Sequence, residues 1–324
     1  MTILVVGGAG YIGSHTARAL RRHGFDVLIY DNLSNGYEIL TKGFELIVGD
    51  MADLNVLTPA LKRVQAIVDF AALAYVGVSV RNPREYFRNN VEGSLVLLNA
   101  AMDVGIRQFV FSSTCAVYGT PSKVPITEDM PRQPINPYGM SKLFFENALE
   151  AYSRAYGLRH ASLRYFNAAG ADESGEIGEL HDPETHLIPL ALDAAAGGPE
   201  LHVFGADYPT PDGTCVRDYI HVDDLAEAHV LALQQLSASE TSFALNLGTG
   251  TGNSVLDVIK TVEQVTGNQV RRKTVPRRPG DPPVLVADST QAQQRLKWKP
   301  TRTVNDIVRT AWRWKQSHQA KAAS

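Results

Sequence analysis

Short runs of apolar and β-branched residues alternate with longer amphipathic stretches over the first half of the chain. The short runs predict buried parallel strands, at 2–6, 26–30, 45–48, 66–69, 108–112 and 159–165. The longer stretches between them predict helices, at 11–23, 83–102 and 137–156. This alternation predicts an α/β fold, in which a Rossmann-type doubly wound parallel sheet carries helices on both faces.

The second half is less regular, and joints rich in proline and glycine interrupt it at 197–199, 208–213 and 277–283. Helices are predicted at 186–196, 222–236, 253–266 and 303–316. We therefore expect a nucleotide-binding Rossmann domain over 1–165 and a smaller mixed α/β domain, mainly for substrate, over 166–324. The segment 217–236 has the pattern of a strand followed by a helix, and we expect it to pack back on the first domain.

The composition restricts the partners and the compartment. The 324 residues are 44% hydrophobic and 20% charged, which is enough for a large core. A net charge of -3 gives no general reason to bind nucleic acid or an anionic membrane, and the longest apolar stretch, 66–80, falls short of the ~20 residues of a membrane span. The two cysteines, Cys115 and Cys215, form no disulfide framework, and no secretory signal precedes the first strand. We expect a cytoplasmic protein without nucleic-acid or membrane partners.

A glycine-rich turn joins the first predicted strand to the first predicted helix. In VVGGAGYIGSH, Gly7, Gly10 and Gly13 allow a tight turn and a close approach of the backbone to a pyrophosphate at a helix N-terminus. Asp31 ends the second strand 18 residues after Gly13, near the ~20 residues typical of an acid that binds the adenosine ribose. Its carboxylate repels a 2′-phosphate, so the pattern favours NAD over NADP. Asp50, after the third strand, is a candidate for the adenine edge.

Candidate catalytic residues lie at the start of the third long helix and at the end of the fifth strand. Tyr138 and Lys142 are four residues apart and share a helix face, where a lysine favours the phenolate form of a tyrosine. The strand end FSSTCAVYG supplies the hydroxyls of Ser112, Ser113 and Thr114 at the edge where parallel sheets bind ligands. We expect Tyr138 to act as a base and Thr114 to hydrogen-bond the hydroxyl group that is oxidised.

Two other kinds of chemistry are not expected. The nine histidines have no metal-binding spacing such as H-E-x-x-H, so we expect no metal site. Cys115 lies near the predicted site but has no dedicated histidine base, so we expect a packing residue and not a nucleophile.

Seven motifs, in order along nearly the whole chain, carry a family resemblance. They are the glycine loop, Asp31 with Asn32-Leu33, the Ser-Ser-Thr strand end, Tyr138-x-x-x-Lys142, RYFNAAG (164–170), DGTCVRDYIHVDDLA (212–226) and RRPGD (277–281). These motifs resemble those of bacterial UDP-glucose/UDP-galactose 4-epimerases, in the extended short-chain dehydrogenase/reductase family. The resemblance implies an isomerase that uses NAD to epimerise carbon 4 of a UDP-sugar, most simply UDP-galactose to UDP-glucose, through a 4-keto intermediate. It also implies a homodimer built through the helices at 83–102 and 137–156.

Pattern and resemblance together assign roles to individual residues. Tyr138 is expected as the base, Lys142 as the ribose-binding lysine and Thr114 as the hydroxyl partner. The other expected cofactor contacts are Gly7, Gly10, Tyr11, Ile12, Gly13, Asp31, Asn32, Asn35, Asp50, Met51, Phe70, Ala71, Ala72, Asn90, Ser112 and Phe166. The other expected UDP-sugar contacts are Asn167, His186, Leu187, Phe204, Arg217, Arg278, Asp281 and Leu285.

Three positions distinguish this chain within the family. Ala74 stands where some members have a lysine near the cofactor pyrophosphate, and His186 stands where some have an asparagine. Leu285, four residues after Asp281, has the position that borders the sugar ring in similar epimerases. Because leucine is larger than cysteine and smaller than tyrosine, it predicts a hexose pocket that accepts N-acetyl sugars less well.

Other functions stay open beside this one. A nucleotide-sugar 4,6-dehydratase carries an Asp-Glu pair where this chain has Cys115 and Ala116, which disfavours dehydration. The stretch FAALAYVGVS (70–79) also resembles UDP-xylose/UDP-arabinose 4-epimerases, so a pentose substrate is an alternative. A non-catalytic NAD-sensing protein is expected to lack Tyr138 or Lys142, and both are present.

Overall fold

A computed structural model describes residues 1–278 and 280–322 of the chain. Its central sheet contains β1 (Thr2–Val6), β2 (Asp26–Asp31), β3 (Glu45–Val48), β4 (Ala66–Asp69), β5 (Gln108–Thr114), β6 (Arg159–Tyr165) and β10 (Phe243–Leu247), in the order β3-β2-β1-β4-β5-β6-β10. Every neighbouring pair is parallel. The strand order reverses between β1 and β4, which opens a crevice at the carboxyl ends of these strands. The predicted doubly wound parallel sheet is confirmed.

Eleven α-helices are present in the described part of the chain. They are α1 (Tyr11–Arg22), α2 (Leu54–Leu61), α3 (Val76–Arg81), α4 (Pro83–Phe87), α5 (Ser94–Asp103), α6 (Pro137–Tyr156), α7 (Leu187–Ala195), α8 (Val222–Ala238), α9 (Val255–Thr266), α10 (Thr290–Leu296) and α11 (Val304–Ala322). Short 3₁₀ turns follow β2 and β5, at Glu38–Thr41 and Cys115–Tyr118.

Three helix predictions differ from the structure, and one of them is the last helix, which was predicted at 303–316 and extends from Val304 to Ala322. The single helix predicted at 83–102 is divided into α4 and α5 by a π-helical segment, Arg88–Gly93. The helix predicted from 253 begins at Val255, because Gly252–Ser254 forms strand β11 and Ser254 caps the helix by accepting the Asp257 backbone N–H.

The sheet separates two apolar cores, as the alternating side chains of β1 illustrate. Ile3 and Val5 face the core that contains α1, α8 and α10. Leu4 and Val6 face the opposite core, with α2, α5 and α6. Both faces of the strand are therefore buried, which explains its continuous apolar sequence.

The remaining strands form two smaller sheets. Strands β11 (Gly252–Ser254), β9 (Val216–His221) and β13 (Val284–Leu285) lie side by side, and β7 (Asn167–Ala169) also pairs with β9. Strands β8 (Leu201–Phe204) and β12 (Arg272–Val275) form a parallel pair. A third apolar core lies among α7, α9 and α11.

The chain crosses between these two parts more than once. Helix α8 packs on α1, β5 and β6, whereas the strand before it, β9, belongs to a smaller sheet. Strand β10 then joins the edge of the large sheet beside β6. The sequence assigned 243–247 to the second domain, because a single short apolar run gives no indication of which sheet it joins.

Candidate active site

The glycine loop forms a cradle at the start of α1. Gly7 has φ +73°, and a Cβ there would lie 2.7 Å from Ala71 N, so this position requires glycine. A Cβ on Gly13 would collide with the Gly7 carbonyl, which explains how α1 packs so closely on the loop. Gly10 is the N-cap of α1 and gives it no side-chain cap. The first N–H groups of the helix are thus available to an anion, as a dinucleotide pyrophosphate requires.

The next two residues of the motif are anchored in the protein interior. Tyr11 is buried and donates a 2.7 Å hydrogen bond to the Gly170 carbonyl. Ile12 is partly buried and packs on the sheet core. The structure therefore gives both residues a packing role, and their backbone N–H groups belong to the first turn of α1.

Acidic residues gather at the carboxyl ends of β2 and β3. Asp31 is buried and accepts backbone N–H groups from Ala9 at 2.9 Å and Leu33 at 2.8 Å. Burial raises the pKa of Asp31, and these hydrogen bonds oppose that shift. Asp50 accepts the Asn32 amide at 2.9 Å. The two predicted adenosine-binding acids thus lie at the carboxyl ends of adjacent strands.

The outer cofactor candidates differ in their environment. Asn35 is exposed in the loop after β2, whereas Met51 is buried in the core that contains α2, α5 and α6. Phe70, Ala71 and Ala72 are partly exposed in the loop after β4.

Asn90 connects that loop to the catalytic helix. Its Oδ1 accepts the Leu73 N–H at 2.9 Å, and its Nδ2 donates to the Leu73 carbonyl at 3.0 Å. Nδ2 also donates to Ser141 Oγ at 3.1 Å. Asn90 is 2% exposed, so the structure makes it a brace between the loop and α6.

Helix α6 presents Tyr138 and Lys142 because its start is fixed by two neighbouring residues. The Asn136 side chain accepts the Gly139 N–H at 2.9 Å, and Pro137 occupies the first helical position. Gly139 lies against the Ala116 carbonyl, where a Cβ would come within 2.6 Å. The helix start is therefore held against the turn that follows Thr114.

Thr114 and Tyr138 interact at the end of β5. Burial raises the pKa of the Tyr138 phenol well above its usual value, and a hydrogen-bonding interaction with Thr114 opposes that shift. The expectation that Lys142 gives this tyrosine a low pKa is wrong for this structure. The Lys142 ammonium instead donates to the Ser112 carbonyl at 2.8 Å, and no hydrogen bond joins it to Tyr138 within 1–278 and 280–322.

Sequence reasoning missed the partner of Lys142. Burial lowers the pKa of the Lys142 ammonium to about 8, while the Asp69 carboxylate raises it. Burial likewise raises the pKa of Asp69 to about 6, and Lys142 opposes that shift. Each group therefore favours the charged form of the other. The available signal was an acid at the end of a fully apolar strand, beside the point where the strand order reverses.

One carboxylate oxygen of Asp69 has an unusual environment. Asp69 Oδ1 accepts the Ala71 N–H at 3.0 Å. Asp69 Oδ2 is buried and has no hydrogen-bond partner among the residues that the structure describes. A buried carboxylate oxygen is costly without a partner, so this crevice fits a polar ligand such as a dinucleotide.

The serines of the strand end face in different directions. The Ser112 hydroxyl contacts the Tyr165 hydroxyl, on the side of the crevice. The Ser113 hydroxyl donates to Glu146, which is buried with Arg164. Ser113 thus belongs to the core.

The predicted UDP-sugar residues form two contacting pairs in the second part of the chain. Arg217 forms an ion pair with Asp281. The Arg278 guanidinium lies 3.9 Å from the centre of the Phe204 ring, a cation–π contact. Two guanidinium groups beside the loop 277–283 suit a pyrophosphate.

Leu285 links this region to the catalytic strand end. It is paired with Arg217 across β13 and β9. It also packs in a small apolar cluster with Cys115 and Phe166, and the Arg217 charge acts on the Cys115 thiol. The structure thus brings the expected sugar-bordering residue next to the turn that follows Thr114.

The remaining substrate candidates lie at element starts. Asn167 begins β7, and its amide donates to the Asp218 carbonyl at 3.1 Å. His186 is the N-cap of α7 and contacts two glutamates, and Leu187 is partly buried in the third core.

Within the described residues, no helix is both long and apolar enough to cross a membrane.

Known proteins share this architecture over nearly the full length. A UDP-glucose 4-epimerase of Rhizobium meliloti (strain 1021) is 52% identical over 315 residues, which are 96% of this chain and 96% of that protein. The crystal structure of a UDP-glucose 4-epimerase from Brucella ovis in complex with NAD has a TM-score of 0.94 at 48% identity, covering 96% of this chain and 97% of that one. That of a UDP-glucose 4-epimerase from Stenotrophomonas maltophila, with bound NAD and formylated UDP-arabinopyranose, has a TM-score of 0.96 at 41% identity and covers 99% of each chain.

A family model matches most of the chain as well. Residues 3–248 match the NAD dependent epimerase/dehydratase family, and this range contains the glycine cradle, Asp31, Thr114, Tyr138 and Lys142. The chain therefore belongs to the NAD dependent epimerase/dehydratase family.

Proposed function

We propose that this protein is an NAD-dependent UDP-sugar 4-epimerase that interconverts UDP-galactose and UDP-glucose. The observation that carries the proposal is the Thr114–Tyr138 pair beside a glycine cradle and Asp31, in a chain 52% identical to a UDP-glucose 4-epimerase. Relatives bound to NAD and to a UDP-linked sugar support the same cofactor and substrate class.

The residues of the crevice divide the work of binding NAD. The glycine cradle and the start of α1 hold the pyrophosphate. Asp31 accepts the ribose hydroxyls, and Asp50 with Asn32 borders the adenine. Phe70, Ala71 and Ala72 would line the cofactor site, and Lys142 would hold the nicotinamide ribose. When bound, NAD accepts a hydride from carbon 4 of the sugar and returns it, so the cofactor is regenerated in each turnover.

Proton transfer falls to Tyr138, and Thr114 positions the sugar hydroxyl. Tyr138 takes the proton of the 4-hydroxyl group and later returns it to the keto oxygen. Burial raises the pKa of the phenol, and a positive charge beside it, such as that of bound NAD, would favour the deprotonated form that accepts this proton. Arg217 and Arg278 hold the UDP group, so the 4-keto sugar stays bound while it turns its other face to the cofactor.

Dehydration is the less favoured alternative on the same scaffold. A dehydratase needs an acid and a base just after Thr114, where this chain has Cys115 and Ala116. Burial raises the pKa of the Cys115 thiol to about 12, and alanine has no ionisable group. Neither residue suits proton transfer to a departing hydroxyl.

The test is turnover without added cofactor. The protein is dialysed extensively and incubated with UDP-galactose, UDP-N-acetylgalactosamine or UDP-arabinose, and the products are separated by chromatography. We expect bound NAD by absorbance and mass, and UDP-glucose as the most rapidly formed product. Absence of 4-epimers with all three substrates, in a protein that contains NAD, would disprove epimerase activity.

The choice of sugar depends on Leu285 in this proposal. Leu285→Tyr narrows the pocket and should shift kcat/KM further toward UDP-galactose, whereas Leu285→Ser should shift it toward UDP-N-acetylgalactosamine. A substrate that lacks one methylene group in an apolar pocket loses only about 1–3 kcal/mol of binding. A pentose that lacks carbon 6 should therefore still react slowly. An unchanged ratio in both variants would mean that Leu285 does not border the sugar.

Domain division, assembly and location are part of the same proposal. We assign NAD binding to 1–165 with α8 and β10, and UDP-sugar binding mainly to the rest of 166–324. We expect a homodimer through α4–α5 and α6, since α4 contacts α6 and these helices expose Phe87, Met140 and Phe144. Phe144→Glu should then give monomers in sedimentation velocity. The free thiols of Cys115 and Cys215 fit the reducing cytoplasm.

A further inference from the structure

A second group of reactive side chains lies just before α7. Glu179, His181, Glu184 and His186 each offer one ligand atom, and the four atoms lie within 4.8 Å of one another. We call these residues the 179–186 cluster. No metal site was expected from the sequence, because the nine histidines lack a spacing such as H-E-x-x-H. This cluster instead has the order E-x-H-x-x-E-x-H in a loop.

The ligand atoms of the cluster are close enough together to surround one ion. His186 Nδ1 lies 2.9 Å from Glu179 Oε1 and 2.8 Å from Glu184 Oε1. His181 Nδ1 lies 3.1 Å from Glu179 Oε1 and 3.6 Å from Glu184 Oε2. Ligands at ordinary bond lengths around a tetrahedral zinc ion are about 3.3 Å apart. These four separations are near that value, and the two that involve Glu184 are to different oxygens of its carboxylate.

The directions of the contacts provide independent evidence. His181 Nδ1 is buried and has no hydrogen-bond partner in the described part of the chain, although Glu179 Oε1 is only 3.1 Å away. The imidazole nitrogen therefore faces a carboxylate oxygen without a hydrogen bond between them. The Glu179 side chain is 7% exposed, so its charge needs a positive partner nearby.

Protonated histidines are the competing explanation. Burial lowers the pKa of each imidazole, but the nearby carboxylates of Glu179 and Glu184 outweigh it and raise the pKa of His181 to about 9 and that of His186 to about 10. Two imidazolium groups carry the same total charge as one divalent ion between neutral imidazoles. Total charge therefore does not distinguish the two states, and the arrangement of the four ligand atoms becomes the deciding feature.

We propose that the 179–186 cluster is a binding site for one divalent transition-metal ion, with Zn²⁺ as the best match. Two imidazole nitrogens with two carboxylate oxygens form a ligand set that zinc accepts in tetrahedral geometry. Mg²⁺ and Ca²⁺ prefer shells made only of oxygen, with six or more ligands. The His186 side chain is 49% exposed, which gives an ion a path from solvent.

The surroundings give this ion a structural role. The His181 ring is in edge contact with Tyr11 at 6.4 Å and with Tyr75 at 5.9 Å between ring centres. Tyr11 belongs to the first turn of α1, and His186 caps α7. An ion in the cluster would thus fix the loop before α7 against the start of the glycine-loop helix.

The experiment measures metal binding directly, with protein that carries no histidine tag. Protein is stripped with a chelator, incubated with zinc, desalted and analysed for metal by mass spectrometry. We expect about one zinc ion per chain, since four ligands complete one tetrahedral site. His181→Ala and Glu179→Gln should lose most of it. His23→Ala is the matched control, because His23 also pairs with a glutamate, Glu227 at 2.7 Å, but without a second histidine.

Cobalt provides a test that needs no variant to fold. Co²⁺ added to the stripped wild-type protein should give the intense visible absorption of tetrahedral coordination, and zinc should displace it. Magnesium should have no effect on that spectrum. A weak octahedral spectrum, or equal zinc content in wild type and His181→Ala, would overturn the proposal and leave two ion-paired histidines.

Discussion

The Asn90 brace between the loop after β4 and helix α6 gives a prediction that combines stability with cofactor binding. We consider Asn90→Leu, which preserves the branching and the number of heavy atoms of the side chain. The substitution removes two hydrogen bonds with the Leu73 backbone and one with Ser141. A fourth bond, from Asn89 at 2.9 Å, is exchanged for water because Asn89 is partly exposed.

The expected loss follows from these bonds. Each interior hydrogen bond contributes about 0.5–1.5 kcal/mol net, so three contribute about 3 kcal/mol. The backbone N–H and C=O of Leu73 lose their partners, whereas burial of the leucine side chain returns about 1 kcal/mol. We expect the free energy of unfolding to fall by about 2–3 kcal/mol. If the Asn90 brace also orders the loop after β4 for cofactor binding, NAD affinity should fall about tenfold, equivalent to 1.4 kcal/mol.

Urea unfolding and NAD titration measure the two effects separately. Asn99→Leu is the matched control, because exposed Asn99 accepts one hydrogen bond, from Tyr152 at 2.7 Å. We expect the control to lose at most about 1 kcal/mol and to bind NAD normally. Equal stability of the two variants would refute the brace. Lower stability with unchanged NAD affinity would confine Asn90 to a packing role.

Three further predictions concern the crevice. Tyr138→Phe should lower kcat by about 10²–10⁴-fold with little change in UDP-sugar affinity, and stopped-flow kinetics with calorimetry check both; a normal kcat would remove Tyr138 from the mechanism. Asp31→Ala with a new arginine nearby should bring NADP affinity close to that of NAD, and equal binding of both cofactors by the wild type would contradict the role of Asp31. Asp69→Asn removes the carboxylate that raises the pKa of Lys142, so the alkaline decline of kcat/KM should begin at lower pH. Because burial raises the folded-state pKa of Asp69 from 3.8 to about 6, the wild type should lose stability as pH rises through that interval; a Tm profile of Asp69→Asn with the same slope there would contradict this assignment.

The sheet and its main helices were predictable because their signals are local. Strands such as β1 and β4 are buried on both faces and so are apolar throughout, and α6 has Asn136 and Pro137 at its start and Gly157 at its end. The division of 83–102 was not predictable. The π-helical segment contains no proline and only one glycine, Gly93 at its last position, so the sequence does not indicate where the helix is interrupted.

Positions in the site were less predictable than residue types. The spacing of Tyr138 and Lys142 places both on one face, yet it does not say which group the lysine reaches. In the structure, Lys142 donates to the Ser112 carbonyl and interacts with the Asp69 charge, because β4 and β5 are neighbours in the sheet. That adjacency depends on strand order, which the local pattern does not contain.

The 179–186 cluster also could not be predicted from the spacing of its residues in the sequence. Sequence spacing indicates a metal site when a helix or a pair of turns fixes the geometry, as in H-E-x-x-H. Here the four residues lie in a loop, and their convergence depends on contacts of His181 with Tyr11 and Tyr75. Since Tyr11 is held by Gly170 in another part of the chain, the ligand geometry depends on the folded crevice. Metal binding and the packing of the glycine-loop helix should therefore be coupled, and Tyr11→Phe should weaken zinc binding less than His181→Ala but more than His23→Ala.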